Sequence, residues 1–114
     1  MSAGIRHIFP PDYRLRVRPD FLKTWDKGRR FHTDHFIVVL MQKSNGPTRL
    51  GVTASKKVGG AVQRNRVKRL LREFFRLNYE KINPQADISI IAKKGAADLG
   101  YVAVYCELKK LLTG

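Results

Sequence analysis

Lys56–Arg76 reads KKVGGAVQRNRVKRLLREFFR, and its pattern decides how the rest of the chain is read. Two adjacent glycines, Gly59 and Gly60, lead into a run that is dense in arginine yet keeps a helical apolar period. On a helix of about 3.6 residues per turn, Val67, Leu70, Leu71, Phe74 and Leu77 gather on one side. This is the stripe of a core-facing helix over residues 61–78. Asn65, Lys68, Arg69, Arg72 and Arg76 gather on the opposite side, with Arg64 and Arg66 flanking them. Only Glu73 offers a nearby negative partner. A ladder this uncompensated repels itself, and a polyanion relieves the repulsion.

Charged helical runs are commonly solvated Glu/Lys mixtures at helical pair spacing. This one differs. Six of the thirteen residues from Arg64 to Arg76 are basic, and five of those six are arginine. Arginine carries five donors in a rigid fork suited to phosphate oxygens, and its plane stacks on unpaired bases.

The whole chain is consistent with this. Its 114 residues make one domain with one core. A hydrophobic fraction of 43% with 10% aromatic residues belongs to a folded protein rather than a basic tail. Twenty-three Lys and Arg against nine Asp and Glu give a net charge of +14, which points to nucleic acid or an anionic membrane surface. No apolar run approaches the ~20 residues of a spanning helix. A basic amphipathic helix can lie on anionic lipid, but the apolar side of this one is large enough to be taken up by its own core. Cys106 is the sole cysteine, so an internal disulfide and a cysteine zinc cluster are excluded. On a C-terminal helix it reads as a small buried residue. The N-terminal stretch lacks the apolar core of a secretory signal. A cytoplasmic setting is expected.

Working outward, Pro10, Pro11, Arg14, Arg16 and Arg18 suggest an extended basic arm at the N-terminus. Pro19 suits the first turn of a short helix ending near Gly28, with Phe21 and Trp25 sharing a face. His35–Gln42 and Arg49–Ser55 read as strands separated by Ser44-Asn45-Gly46-Pro47, which predicts an antiparallel hairpin. Phe31 and its neighbours suggest one further strand before them. The long helix is expected to stop before Pro84. Asp87–Lys93 is a strand, and a closing helix over about 99–112 takes Tyr101, Val104, Tyr105, Leu108, Leu111 and Leu112 as its stripe. This order predicts helices layered on a mixed sheet.

At Ser55-Lys56-Lys57-Val58-Gly59, Ala61-Val62 and Arg64-Asn65-Arg66-Val67-Lys68-Arg69 the chain resembles the protein subunits of bacterial ribonuclease P. That family carries an SKK-x-G-x-AV-x-RNR-x-KR run on its long helix. Arg49-Leu50-Gly51-Val52, Asp20-Phe21 with Gly28, Asp87–Ala92 and the closing helix extend the likeness over about residues 14–112. The resemblance implies an α/β fold of the α+β two-layer sandwich type. It has a four-stranded mixed sheet and three helices in αβββαβα order, with a left-handed βαβ crossover, against the general preference for the right hand. Residues 1–13 then form a basic arm ahead of a single RNA-binding domain over 14–114.

The resemblance also implies a function. The enzyme removes the 5′ leader of precursor tRNA, and its catalytic subunit is RNA. Magnesium ions held by that RNA activate the attacking water. The protein supplies binding and positioning, with no catalytic residue, no metal site, no small-molecule substrate and no membrane of its own. The residues agree. The nine acids (Asp12, Asp20, Asp26, Asp34, Glu73, Glu80, Asp87, Asp98, Glu107) are scattered singly, without the converging carboxylates a metal-dependent nuclease needs. His7, His32 and His35 form no recognisable acid–base or metal motif.

Arg64, Asn65, Arg66, Lys68, Arg69 and Arg72 are assigned to the RNA subunit, with Asn65 equally suited to bracing the glycine turn. Arg76 shares their face but lies outside the family motif. Phe21, Trp25, Lys56, Lys57 and Arg14 are assigned to the single-stranded leader, since aromatic faces stack on any base. Core packing is the competing reading for both rings, and Trp25 stands where the family more often has a smaller aromatic. Two rival readings remain: a ribosomal or RNA-assembly protein without a processing role, and a DNA-binding regulator. The latter would want a helix-turn-helix or a dimer interface, and neither is visible.

Overall fold

Residues 28–43, 46–82 and 85–112 are described by the computed structural model. Through them the chain runs β1 (Arg29–His32), β2 (Phe36–Gln42), β3 (Arg49–Ala54), α1 (Ala61–Asn78), β4 (Ala86–Ala92) and α2 (Tyr101–Leu108). Single 3-10 turns occupy Tyr79–Lys81, Ala96–Asp98 and Lys109–Leu111. The strands form one mixed sheet in the order β1-β2-β4-β3. β2 is antiparallel to β1 and to β4, whereas β3 and β4 run parallel with α1 as their crossover. The α+β sandwich is therefore as expected. The basic arm and the first helix expected near Pro19–Gly28 lie outside the described residues.

One expectation fails. β2 and β3 do not form a hairpin, because β4 lies between them: Ser89 is in register with Val39 on one side and with Gly51 on the other. The reason is visible in β4 itself. Six of its seven residues are buried, and a strand covered on both faces belongs inside a sheet rather than at its edge. The hairpin that does form joins β1 to β2, closed where Thr33 N donates to Phe36 O at 2.8 Å. The closing helix is also shorter than expected. Residues 101–108 are α-helical, and the last turn tightens to 3-10.

A single core lies between one face of the sheet and the helices. Phe36, Val38, Leu50, Ile88 and Ile90 contribute from the strands, and Val67, Leu71, Phe74, Phe75, Val104, Leu108 and Leu111 from the helical layer. Phe74 meets Tyr105 edge-on at a centroid distance of 6.0 Å, and Phe75 meets Tyr79 at 5.3 Å. The stripe of α1 is thus centred between Val67 and Leu71, with Phe74 and Phe75 on either side. Leu70 and Leu77, seven residues apart on one flank, fall at its edge. Leu70 is half-buried, and Leu77 is 55% exposed rather than core. Cys106 corrects a further expectation: it is exposed, since it lies half a turn away from Val104 and Leu108.

Two carboxylates hold the elements in register. Asp87, 2% exposed, takes the Nε and Nη2 of Arg49 at 2.9 and 2.8 Å and Lys43 Nζ at 2.8 Å. This clamps one end of β2, β3 and β4 together. Burial pushes its pKa up, but the hydrogen bonds and charges of Arg49 and Lys43 outweigh burial and hold it below the ordinary carboxylate value. Glu107 of α2 accepts from Thr33 Oγ1 at 2.6 Å and from the His35 backbone N at 2.9 Å, and its Oε2 lies 2.6 Å from His35 Nδ1. An ionised carboxylate only accepts, so Nδ1 carries the proton of that contact. The α2 helix is thereby fastened to the β1–β2 turn. Burial raises the Glu107 pKa as well, and the Thr33 and His35 hydrogen bonds more than reverse it.

Both folded-state pKa values lie below their unfolded ones. Their stabilisation is therefore fully present above about pH 5 and is lost as pH falls through the lowered values. Urea unfolding from pH 7 down to pH 3 should show this loss, and Asp87→Asn should flatten the acid limb. At pH 7 the variant should lose about 2–3 kcal/mol, less than a fully enclosed pair because both cations keep solvent contact. Equal acid sensitivity in wild type and variant would assign the clamp no role.

Candidate nucleic-acid interface

The cationic face begins at the turn between β3 and α1. Val58, 8% exposed, anchors this turn in the core, with its N donating to Ser55 O at 3.0 Å and Gly59 N donating to Lys56 O at 3.2 Å. Gly59 has φ +148°, and a Cβ there would stand 2.8 Å from Gln63 Cβ, so only glycine lets the chain swing into the helix. Gly60 caps in an extended conformation, and its carbonyl accepts the first helical bond from Arg64 N at 2.9 Å. Lys56 and Lys57, assigned to the leader, are both exposed on the outside of this turn.

Along α1 the assigned residues divide by position. Asn65 and Arg69 are exposed, and Lys68 and Arg72 are half-buried with the same outward side. Asn65 makes no side-chain hydrogen bond among the described residues, and the turn is held without it. Arg64 sits at helical spacing from Val67 and Leu71. Its stem is accordingly drawn toward the core, it is half-buried, and its Nε is enclosed. Arg66 is exposed but engaged: Nε donates to Ala97 O and Nη2 to Leu99 O, both at 3.2 Å. It ties α1 to the segment leading into α2 while keeping other donors for a ligand. Arg76 pairs with Glu73 across one turn at 2.8 Å, the compensation expected for that end of the ladder.

Phe21, Trp25 and Arg14 lie outside the described residues. Among the described residues no group of three or more His, Cys, Asp or Glu is placed to hold a metal ion. Nor is any helix among them long and apolar enough to cross a membrane. His35 is committed to Glu107, and Asp87 and Glu107 each face basic or hydroxyl partners rather than one another. The spacing of the sequence carried no sign of the Arg66 bonds, because they span more than thirty residues. It also missed a solvent-open hollow beside the ladder, lined by Arg69, Leu70, Glu73, Leu77 and Tyr101.

A family model described as Ribonuclease P matches residues 9–114. The ribonuclease P protein component of Desulfovibrio desulfuricans is 46% identical over 111 residues, spanning 94% of this chain and 85% of its own length. That of Desulforapulum autotrophicum is 47% identical over 105 residues, with 92% and 90% spanned. Among solved structures, the RNase P protein of Staphylococcus aureus superposes with a TM-score of 0.78 at 32% identity, covering 87% of this chain and 91% of that one. The RNase P protein of Thermotoga maritima gives 0.77 at 33% identity, covering 87% and 94%. Sequence, topology and the placement of the SKK and RNR-x-KR segments on one turn and one helix agree, and the chain belongs to the bacterial ribonuclease P protein family.

Proposed function

We propose that this chain binds the catalytic RNA of ribonuclease P through the outer face of α1 and, in the cytoplasm, helps that RNA remove the 5′ leader from precursor tRNA. The observation that carries the reading is the rotational setting of α1. With Val67, Leu71, Phe74 and Phe75 buried, the helix turns Asn65, Lys68, Arg69, Arg72 and Arg76 outward, and Arg64 and Arg66 flank them. Arg64, Arg66, Lys68, Arg69 and Arg72 neutralise phosphates of the RNA subunit, and Asn65 donates and accepts at a fixed point between them.

The leader runs past the β3–α1 turn. Lys56 and Lys57 attract its phosphates there, Phe21 and Trp25 stack on its bases, and Arg14 extends the path. Chemistry rests with the RNA, whose bound magnesium ions activate water for attack on the scissile phosphate. The protein raises the affinity and fixes the position of a substrate that the RNA cleaves. Residues 14–114 make up the single RNA-binding domain, and Arg14, Arg16 and Arg18 add positive charge at its N-terminal side.

Adding the chain to ribonuclease P RNA should restore leader cleavage at magnesium concentrations too low for the RNA alone. Cleavage by the chain without RNA would overturn the assignment. Plotted as log affinity against log salt, binding to that RNA should have a slope on the order of −4 to −5, as expected when about six phosphates are neutralised. A slope near zero would remove the ladder from the interface. Phe21→Ala should weaken binding of precursor with a long leader by about 5- to 100-fold, the worth of one lost stack, while sparing precursor with the leader trimmed. Equal losses on both substrates would place Phe21 in the core instead.

A further inference from the structure

The hollow beside the ladder is an unusual neighbour for so cationic a surface. It is a shallow, solvent-open depression of about 500 Å³ between α1 and the first turn of α2. Arg69 and Glu73, one turn apart, and Leu70 and Leu77, two turns apart, line it from α1, and Tyr101 lines it from α2. Leu77 is 55% exposed, an apolar surface left open on the helix that carries the arginines. Tyr101 is fixed in place, since its hydroxyl accepts from Asn78 Nδ2 at 2.9 Å while the same nitrogen donates to Phe74 O at 2.8 Å. Its ring leans on Tyr105 at a centroid distance of 6.5 Å. Arg66 holds Ala97 and Leu99, and with them the start of α2, against α1. The result is an open aromatic and aliphatic surface, with Tyr101 held by Asn78, that shares Arg69 with the phosphate-binding face.

We infer that this hollow receives one unpaired base of the RNA bound by α1, a reading that rests on the RNA-binding function proposed above. The charge pattern selects this occupant. A duplex offers the ladder only phosphates, whereas an extruded nucleotide brings its phosphate to Arg69 and its π-face to Tyr101 and Leu77 together. Glu73 is already neutralised by Arg76 at 2.8 Å, so it does not repel the backbone. Its remaining lone pairs can accept from an exocyclic amino group, which favours adenine, cytosine or guanine over uracil.

The test uses the full chain with ribonuclease P RNA. Leu77→Ser should lower affinity about 10-fold, as expected for losing part of one base contact, and should leave the salt slope unchanged because no phosphate contact is removed. Arg69→Ala should make the slope shallower by about one. Leu77→Met should restore affinity. Chemical probing of base edges should show an unpaired base protected by wild type and by Leu77→Met but reactive with Leu77→Ser. If wild type protects no unpaired base, or if Leu77→Ser binds as wild type does, the inference is overturned. Should Arg69→Ala also leave the slope unchanged, the RNA-binding reading of α1 fails with it. A dimer seen by sedimentation and abolished by Leu77→Ser would give the hollow to a second copy of the chain and likewise overturn the inference.

Discussion

Burial of one face of α1 is the constraint on which the other features depend. Val67, Leu71, Phe74 and Phe75 are all at most 1% exposed, and each such side chain contributes about 1.5–3 kcal/mol on leaving water. Repulsion between exposed like charges on a helix costs only a few tenths of a kcal/mol per pair. The packing term wins by a wide margin, so the fold tolerates a ladder that would disfavour the same segment as an isolated helix. Docking also sets the rotation of α1 about its axis, and that rotation decides which cations face outward.

The distribution of acids completes the segregation of charge. Asp87 is spent on Arg49 and Lys43, and Glu107 on Thr33 and His35. Both lie in the strand and closing-helix framework, where they fasten β2, β3, β4 and α2. Glu73 is the acid carried by α1, and it is taken by Arg76 near the far end of the helix. Arg49 and Lys43 of the framework are matched by Asp87, while the first three turns of α1 carry no acid at all. The helix over residues 61–78 therefore sets six basic residues against a single acid.

Much of this was legible in the sequence, and the misses share a cause. Helical period located α1 and its two faces, and the SKK and RNR-x-KR spacing pointed to the family. Pairing was misread because consecutive strands are neighbours more often than not. The isoleucine-rich stretch Ile88–Ala92, interrupted only by the small Ser89, was the available sign that this strand sits inside the sheet. Leu77 and Cys106 were misplaced for a related reason: a stripe drawn on a helix has edges, and only the partner surface decides where they fall. Phe75, omitted from the expected stripe, is buried on the flank opposite Leu77.

Arg66 shows why motif residues need not share one role. By sequence it is the second arginine of the RNR triplet and reads as one more phosphate contact. By geometry two of its five donors are used on the carbonyls of Ala97 and Leu99. The cation thus couples the glycine-led start of α1 to the start of α2, and it fixes the distance between the ladder and Tyr101. A lysine could supply the charge, but not two parallel donors in one plane together with others left for a ligand. The arginine at this position is explained by the need to build the surface as well as to charge it.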